Sequence, residues 1–127
     1  MQLREITERV GERAGLDQPE VAWDLTCRTL ETLGECLDTD MASRLAAQLP
    51  DELQGCVEAP ADDQRGGEAF GPDEFARRVA ERVEYDLDED RAPDHVSAVM
   101  STLDDALTSG LWTKVLTSLP PGYRARI

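Results

Sequence analysis

Two kinds of side chain in this sequence could carry chemistry beyond holding a fold together. The first is a thiol paired with an imidazole. Cys27 and His95 are the residue types that a thiol nucleophile and its general base require. His95 is the chain's single histidine, the side chain that titrates closest to neutral pH. No glycine-rich turn or oxyanion-type motif flanks Cys27, however. His95 follows Pro93 and Asp94, in what reads as the first turn of a helix, where a histidine is simply solvated. The second is a run of carboxylates. "DLDED" (Asp86 to Asp90) opens like a calcium loop, with aspartates at alternate positions. Such a loop needs glycine at its sixth position and glutamate at its twelfth. Arg91 and Ser97 stand there instead, so the expectation is a solvated acidic loop that runs into a helix cap.

Cys27, Cys36 and Cys56 make an odd count with no C-x-x-C spacing. With one histidine in the chain, a structural zinc site is not expected. The expectation is three free thiols buried as small apolar groups, a usage that suits a reducing cytoplasm. There is no G-x-G-x-x-G, P-loop or G-x-S-x-G, and "RGGEAFG" has no strand before it. No catalytic residue, cofactor or metal is assigned. The opening "MQLREITERV" mixes charge with apolar residues at every turn and lacks the apolar run of a secretion signal. Nowhere is there an apolar run of transmembrane length.

Composition narrows the partners. The 127 residues hold 13 basic and 27 acidic side chains, for a net charge of -14. A surface this negative repels phosphate backbones and anionic membranes, so neither nucleic acid nor membrane is an expected partner. All but one of the cations are arginine; Lys114 is the exception. Abundant acid with almost no lysine resembles proteins of salt-in halophiles. There, about 1 M salt shortens the Debye length to roughly 3 Å and makes self-repulsion tolerable. An arginine-rich codon usage in an ordinary acidic protein is the plainer alternative.

The elements that must position these groups are helices. Hydrophobic residues make up 40% of the chain but aromatics only 5%, so the core is built from leucine, valine and alanine. Leu3, Ile6 and Val10 recur at helical spacing, and Gly15 is the expected C-terminal cap. "DQPE" offers Asp17 as an N-cap before Pro19, opening a longer helix through Leu25, Leu30, Leu33 and Leu37. "DTD" (Asp38 to Asp40) breaks that helix and caps a third one through Leu45 and Leu49. Pro50 ends the third helix or starts a short fourth turn, with Leu53 and Val57 returning to the core. The stretch 58–71 lacks periodicity and reads as a linker. Pro72 opens another helix, with Phe75, Val79 and Val83. Val96, Val99, Met100, Leu103 and Leu107 mark the next, Gly110 is expected to break it, and Leu111 to Leu119 form the last.

The two halves overlay. "EITERVGER" (Glu5 to Arg13) matches "EFARRVAER" (Glu74 to Arg82) at a shift of 69, with five of nine positions identical. "LETLGECL" matches "MSTLDDAL" at a shift of 70, as do Leu49-Pro50 and Leu119-Pro120. One extra residue therefore lies in the acidic loop of the second half. The expected fold is all-α: one helical domain of two tandem three-helix repeats (1–57 and 72–127), each closed by a Leu-Pro turn and a short terminal helix. Each unit alone would be too small for a firm core, so the two apolar faces must meet. Arg9, Glu12 and Arg13 recur as Arg78, Glu81 and Arg82. In a cation-poor chain such repetition points to ion pairs between helices, or to an anion- or partner-binding face.

The pattern as a whole resembles the bacterial and archaeal family known as Domain of Unknown Function 2267. The resemblance rests on the F/I-x-x-R-V-x-E-R openings at Ile6 to Arg13 and Phe75 to Arg82. It also rests on L-x-x-L-x-x-x-L at Leu30 to Leu37 and A-x-Q-L-P-x-E at Ala46 to Glu52. In the second half Ser118 replaces Gln48 and Gly122 replaces Glu52. The resemblance implies an all-helical fold with an internal repeat, and brings no activity, cofactor or catalytic residue with it. The function expected is a non-enzymatic helical interaction module, an adaptor or regulator of an unidentified protein partner. The alternative is a small enzyme or ligand-binding domain with a pocket where the two repeats meet.

Overall fold

A computed structural model describes residues 1–62 and 66–123, with side chains up to residue 60 in the first stretch. Residues 63–65, within the stretch read as a linker, and 124–127, at the end of the stretch read as a second repeat, lie outside the described residues. The described residues form seven helices and no strand. These are α1 (Leu3–Ala14), α2 (Pro19–Cys36), α3 (Thr39–Ala47), α4 (Asp51–Asp62), α5 (Pro72–Arg82), α6 (Ala92–Ala106) and α7 (Ser109–Ser118).

The punctuation is mostly local chemistry. Gly15 ends α1 in the left-handed region, at φ 73°, a conformation a side chain disfavours. Asp38 accepts the Met41 N–H as the N-cap of α3. Pro19 and Pro72 each occupy a first turn, where a missing N–H costs nothing. Three boundaries differ from the sequence expectation. The N-cap of α2 is Gln18 rather than Asp17, and no side chain caps it. The break after α6 falls at Leu107, and Thr108 caps α7, so Gly110 lies inside that helix. The fourth turn is a full helix that runs to Asp62, inside the expected linker, with Pro60 near its end.

α2 and α6 form the centre. α1 packs against both, and so does α5. The first helix of each sequence half thus lies on the second helix of the other half as well as on its own. α4 covers the outer side of α2, α3 lies on α4, and α7 touches α3 and α6. Ile6, Val10, Leu25, Leu30, Leu33, Leu45, Leu53, Val57, Phe75, Val79, Val99, Leu103 and Val115 share one continuous core. Thr26, Thr29, Thr32 and Thr102 are buried along α2 and α6, and each hydroxyl donates to the carbonyl four residues back. A small hydroxyl satisfied by its own helix leaves the crossing close without an orphaned polar atom.

Gly34 sets the approach of α4 to α2. A Cβ built there would lie 2.3 Å from the Val57 carbonyl oxygen and 3.1 Å from the Pro60 ring. The two Leu-Pro closes behave alike: Leu49 and Leu119 are buried, and so are the residues that fold back, Leu53 and Tyr123. Tyr123 donates its hydroxyl to the Phe70 carbonyl at 2.7 Å and meets Phe75 edge-on.

Candidate functional site

The repeated arginines face inward across the halves. Arg13 donates to Asp105 at 2.7 Å and to the Thr102 hydroxyl at 3.1 Å. Arg82 donates to Glu35 at 2.5 and 3.0 Å and to the Thr32 hydroxyl at 3.0 Å. Thr32 and Glu35 sit 70 positions before Thr102 and Asp105, so the same contact is made twice with the partners exchanged. Arg9 joins Arg13 on Asp105 at 3.2 Å. Arg78 forks onto Glu68 at 2.9 and 3.0 Å, reaches Glu74 at 2.8 Å and Glu35 at 3.5 Å, and lies over the Phe70 ring. Of the repeated glutamates, Glu81 pairs with Arg77, and Glu12 is exposed.

The electrostatics follow the contacts. The Arg13 hydrogen bond, with Arg9 beside it, holds the Asp105 carboxyl below its ordinary range. Glu68 and Glu74 strengthen the charge on Arg78 against a burial that opposes it. The two clamps differ in solvation. The Arg13 and Asp105 side chains are 36% and 35% exposed, but those of Arg82 and Glu35 are 27% and 5% exposed.

The thiol and imidazole are not brought together as a reactive pair. Cys27 is bridged to Cys56, with Cα atoms 5.3 Å apart, tying α2 to α4. This corrects the expectation of three free thiols: two helices that cross closely bring together cysteines 29 positions apart, a distance not visible in their spacing. Cys36 alone is free. It is buried 3.8 Å from the Tyr123 hydroxyl, and burial pushes its thiol up to about 12. His95 is not solvated. It is 3% exposed, its Nδ1 lies 2.8 Å from the Tyr85 hydroxyl, and its Nε2 is buried with no partner among the described residues. Burial, with Arg91 nearby, lowers its pKa and favours the neutral imidazole. Burial beside Asp24 pushes Tyr85 up to about 12. Asp24 in turn accepts the Glu84 N–H at 2.7 Å and Arg28 at 3.1 Å, fastening the end of α5 to α2. In the acidic loop Asp88 accepts the Arg91 N–H, a turn-closing contact that occupies one carboxylate oxygen. Among the described residues no three His, Cys, Asp or Glu side chains are grouped to hold a metal ion.

Two surface grooves involve residues that the sequence did not single out. One, of about 420 Å³, lies at the mouth between α1 and α2, with Leu3, Pro19 and the half-buried Trp23 on its walls and Arg4 and Glu20 at its rim. The other lies between α3 and α7 and contains Arg44 and Lys114, which the 70-residue shift could have paired.

No helix among the described residues is long and apolar enough to cross a membrane. The family model described as "Uncharacterized conserved protein (DUF2267)" matches residues 3–125, nearly the whole chain. No curated protein matches it.

Proposed function

This chain belongs to the DUF2267 family, and we propose that it works as a non-enzymatic helical module that docks a protein partner. The observation that carries the reading is Trp23, a large half-buried ring in an apolar groove with Leu3 and Pro19, rimmed by charge. Tryptophan in such a setting is the commonest kind of energetic anchor in protein recognition. The net charge of -14 favours a basic, amphipathic segment, one apolar side chain entering the groove and its cations meeting the acidic surround. That Cys27 is bridged to Cys56 and His95 is enclosed with Tyr85 supports the non-enzymatic reading, because neither group is free to act as nucleophile or base.

We propose further that the module is a tandem duplication of 1–57 and 72–127. The matched Arg13–Thr102–Asp105 and Arg82–Thr32–Glu35 contacts support it. The cytoplasm remains the proposed compartment, although the Cys27–Cys56 bridge removes one reason for it; recovery of the protein in the cytosolic fraction of native cells supports that placement, and recovery outside the cytoplasmic membrane refutes it.

The deciding experiment is affinity capture from native cells at native salt, comparing wild type with Trp23→Ala after circular dichroism has shown equal helicity. A partner held by the wild type and lost by the variant supports docking at the groove. Identical captured sets overturn it. The ligand-pocket alternative has an observation of its own, at the contact between the two halves.

A further inference from the structure

The geometry points to a phosphate-binding site in the groove between α3 and α7, and we propose that a phosphate monoester dianion occupies it. The groove, open to solvent, holds about 430 Å³ and is lined by Arg44, Ala47, Gln48, Gly110, Leu111 and Lys114. It contains two cations and no carboxylate, in a chain with 27 acidic residues against 13 basic ones.

Most of the other cations among the described residues are already engaged by carboxylates, Arg4 and Arg77 within their own helices. Arg9, Arg13, Arg78 and Arg82 are held by carboxylates across helices, and Arg28 lies between Asp24 and Glu31. Lys114 is exposed and has no hydrogen bond or ion pair with any described residue. Arg44 meets Asp40 of its own helix at 3.1 Å, with both side chains more than half exposed, a pair that an incoming anion displaces at little cost. Arg44 and Lys114 stand 70 positions apart, the same shift that relates Leu49 to Leu119. Each half thus contributes one cation from the same register position, and the groove lies where α3 and α7 meet.

One side of the groove is fixed. Gln48 accepts the Thr108 N–H at 2.9 Å and donates to the Thr108 hydroxyl at 3.2 Å, tying the end of α3 to the start of α7. Its amide nitrogen carries a second N–H for a ligand oxygen. Nothing lies within 4 Å of where a Cβ on Gly110 would be, so the first turn of α7 is open to the groove.

The ligand class follows from these parts. A forked guanidinium and a point-charge ammonium on opposite walls suit a compact dianion with several acceptor oxygens. Ala47 and Leu111 supply apolar wall for an organic group esterified to it. The overall negative field opposes entry, but it decays within a Debye length of about 8 Å at physiological salt, whereas the two cations act at contact. This site is independent of the Trp23 groove and stands or falls separately from it.

The test is a titration of the intact protein followed by amide NMR, at fixed ionic strength and pH, with phenyl phosphate, inorganic phosphate and malonate. Expected are saturable shifts clustered at Gln48, Gly110, Leu111 and Lys114, with an affinity of about 0.1–1 mM for the phosphates. Lys114→Gln and Arg44→Gln should each weaken binding by about 5–10-fold, while Arg91→Gln, away from the groove, should not. Tighter binding of phenyl phosphate identifies an organic ester as the source; equal affinities identify free phosphate. No saturation by about 10 mM, shifts scattered over the surface, indifference to Lys114→Gln, or malonate binding as tightly as phosphate would overturn the proposal. Both glutamine variants lie on the surface, and either one alone decides the question if the other fails to fold.

Discussion

Truncating Arg82 to alanine should destabilise the protein far more than truncating Arg13, although the two arginines make the same pattern of contacts. Arg82 holds Glu35 at 2.5 and 3.0 Å, and the Glu35 side chain is 5% exposed. Removing the guanidinium strands a desolvated carboxylate, a change that costs about 3–5 kcal/mol. Arg78, 3.5 Å from Glu35, stays behind, which places the expectation at the lower end, about 3 kcal/mol. Asp105, the partner of Arg13, is about one-third exposed, and water takes over when Arg13 is lost. That loss should be about 0.5–1 kcal/mol. For a chain of this length about 1 kcal/mol moves the melting midpoint by about 4 °C. The two variants should therefore melt about 8 °C apart. Urea denaturation with the cycles Arg82→Ala/Glu35→Gln and Arg13→Ala/Asp105→Asn measures both coupling energies. Equal losses within about 0.5 kcal/mol would show that burial does not set the strength of these clamps.

Three further outcomes follow from other contacts. With a net charge of -14, the melting midpoint should rise between low and about 1 M potassium chloride as repulsion is screened; an unchanged or falling midpoint would remove the halophile argument. Because the folded protein holds the His95 pKa below 6.5, the unfolded chain binds the proton more readily, so this group's stability is fully present above pH 6.5 and is lost as pH falls beneath it. His95→Gln should flatten that slope in pH-dependent melts between about 6.5 and 4.5, leaving the acid loss from Glu68, Glu74 and Asp105, whose lowered pKa values act only below 4.5 and 3.8; an identical slope in the variant refutes the assignment. Gly34→Ala should cost about 2–3 kcal/mol, since a Cβ meets the Val57 carbonyl, whereas Gly55→Ala, with open space around it in α4, should stabilise by about 0.5 kcal/mol; chemical denaturation of the pair checks both signs.

The helices were legible because leucine and valine spacing carries the helical period, and because Gly15 and Pro72 act through their own backbones and Asp38 through a carboxylate that caps the next turn. The boundaries that were misread depend on contacts from elsewhere. Thr108 rather than Gly110 starts α7, with Gln48 reaching across to bond its backbone and hydroxyl. Pro60 lies within α4 instead of in a linker, although it forgoes the bond an N–H would make to the Cys56 carbonyl, because its ring packs on the bare Gly34 of α2. The arginine pairs were foreseeable as ion pairs, since carboxylates recur at the 70-residue shift that relates the two halves of the sequence. Sequence register does not say whether Arg13 would meet an acid in its own half or in the other. His95 was read from its neighbours in the chain, Pro93 and Asp94, but its environment comes from the folded-back Tyr85. Trp23, Arg44 and Lys114 carry no motif, and only the meeting of helices gives them a site.

The crossing of first helices onto the opposite second helices has a consequence for how the chain is made. Arg13 waits for Asp105, 92 positions later. At roughly 5–20 residues per second, α1 leaves the ribosome about 5–20 s before the helix it must also lie on. The first half is therefore born with one apolar flank bare and cannot be finished alone; the two halves complete each other late and together. The same interlocking means that a cut between α4 and α5 would sever the backbone without freeing either piece, because each holds a helix that the other requires.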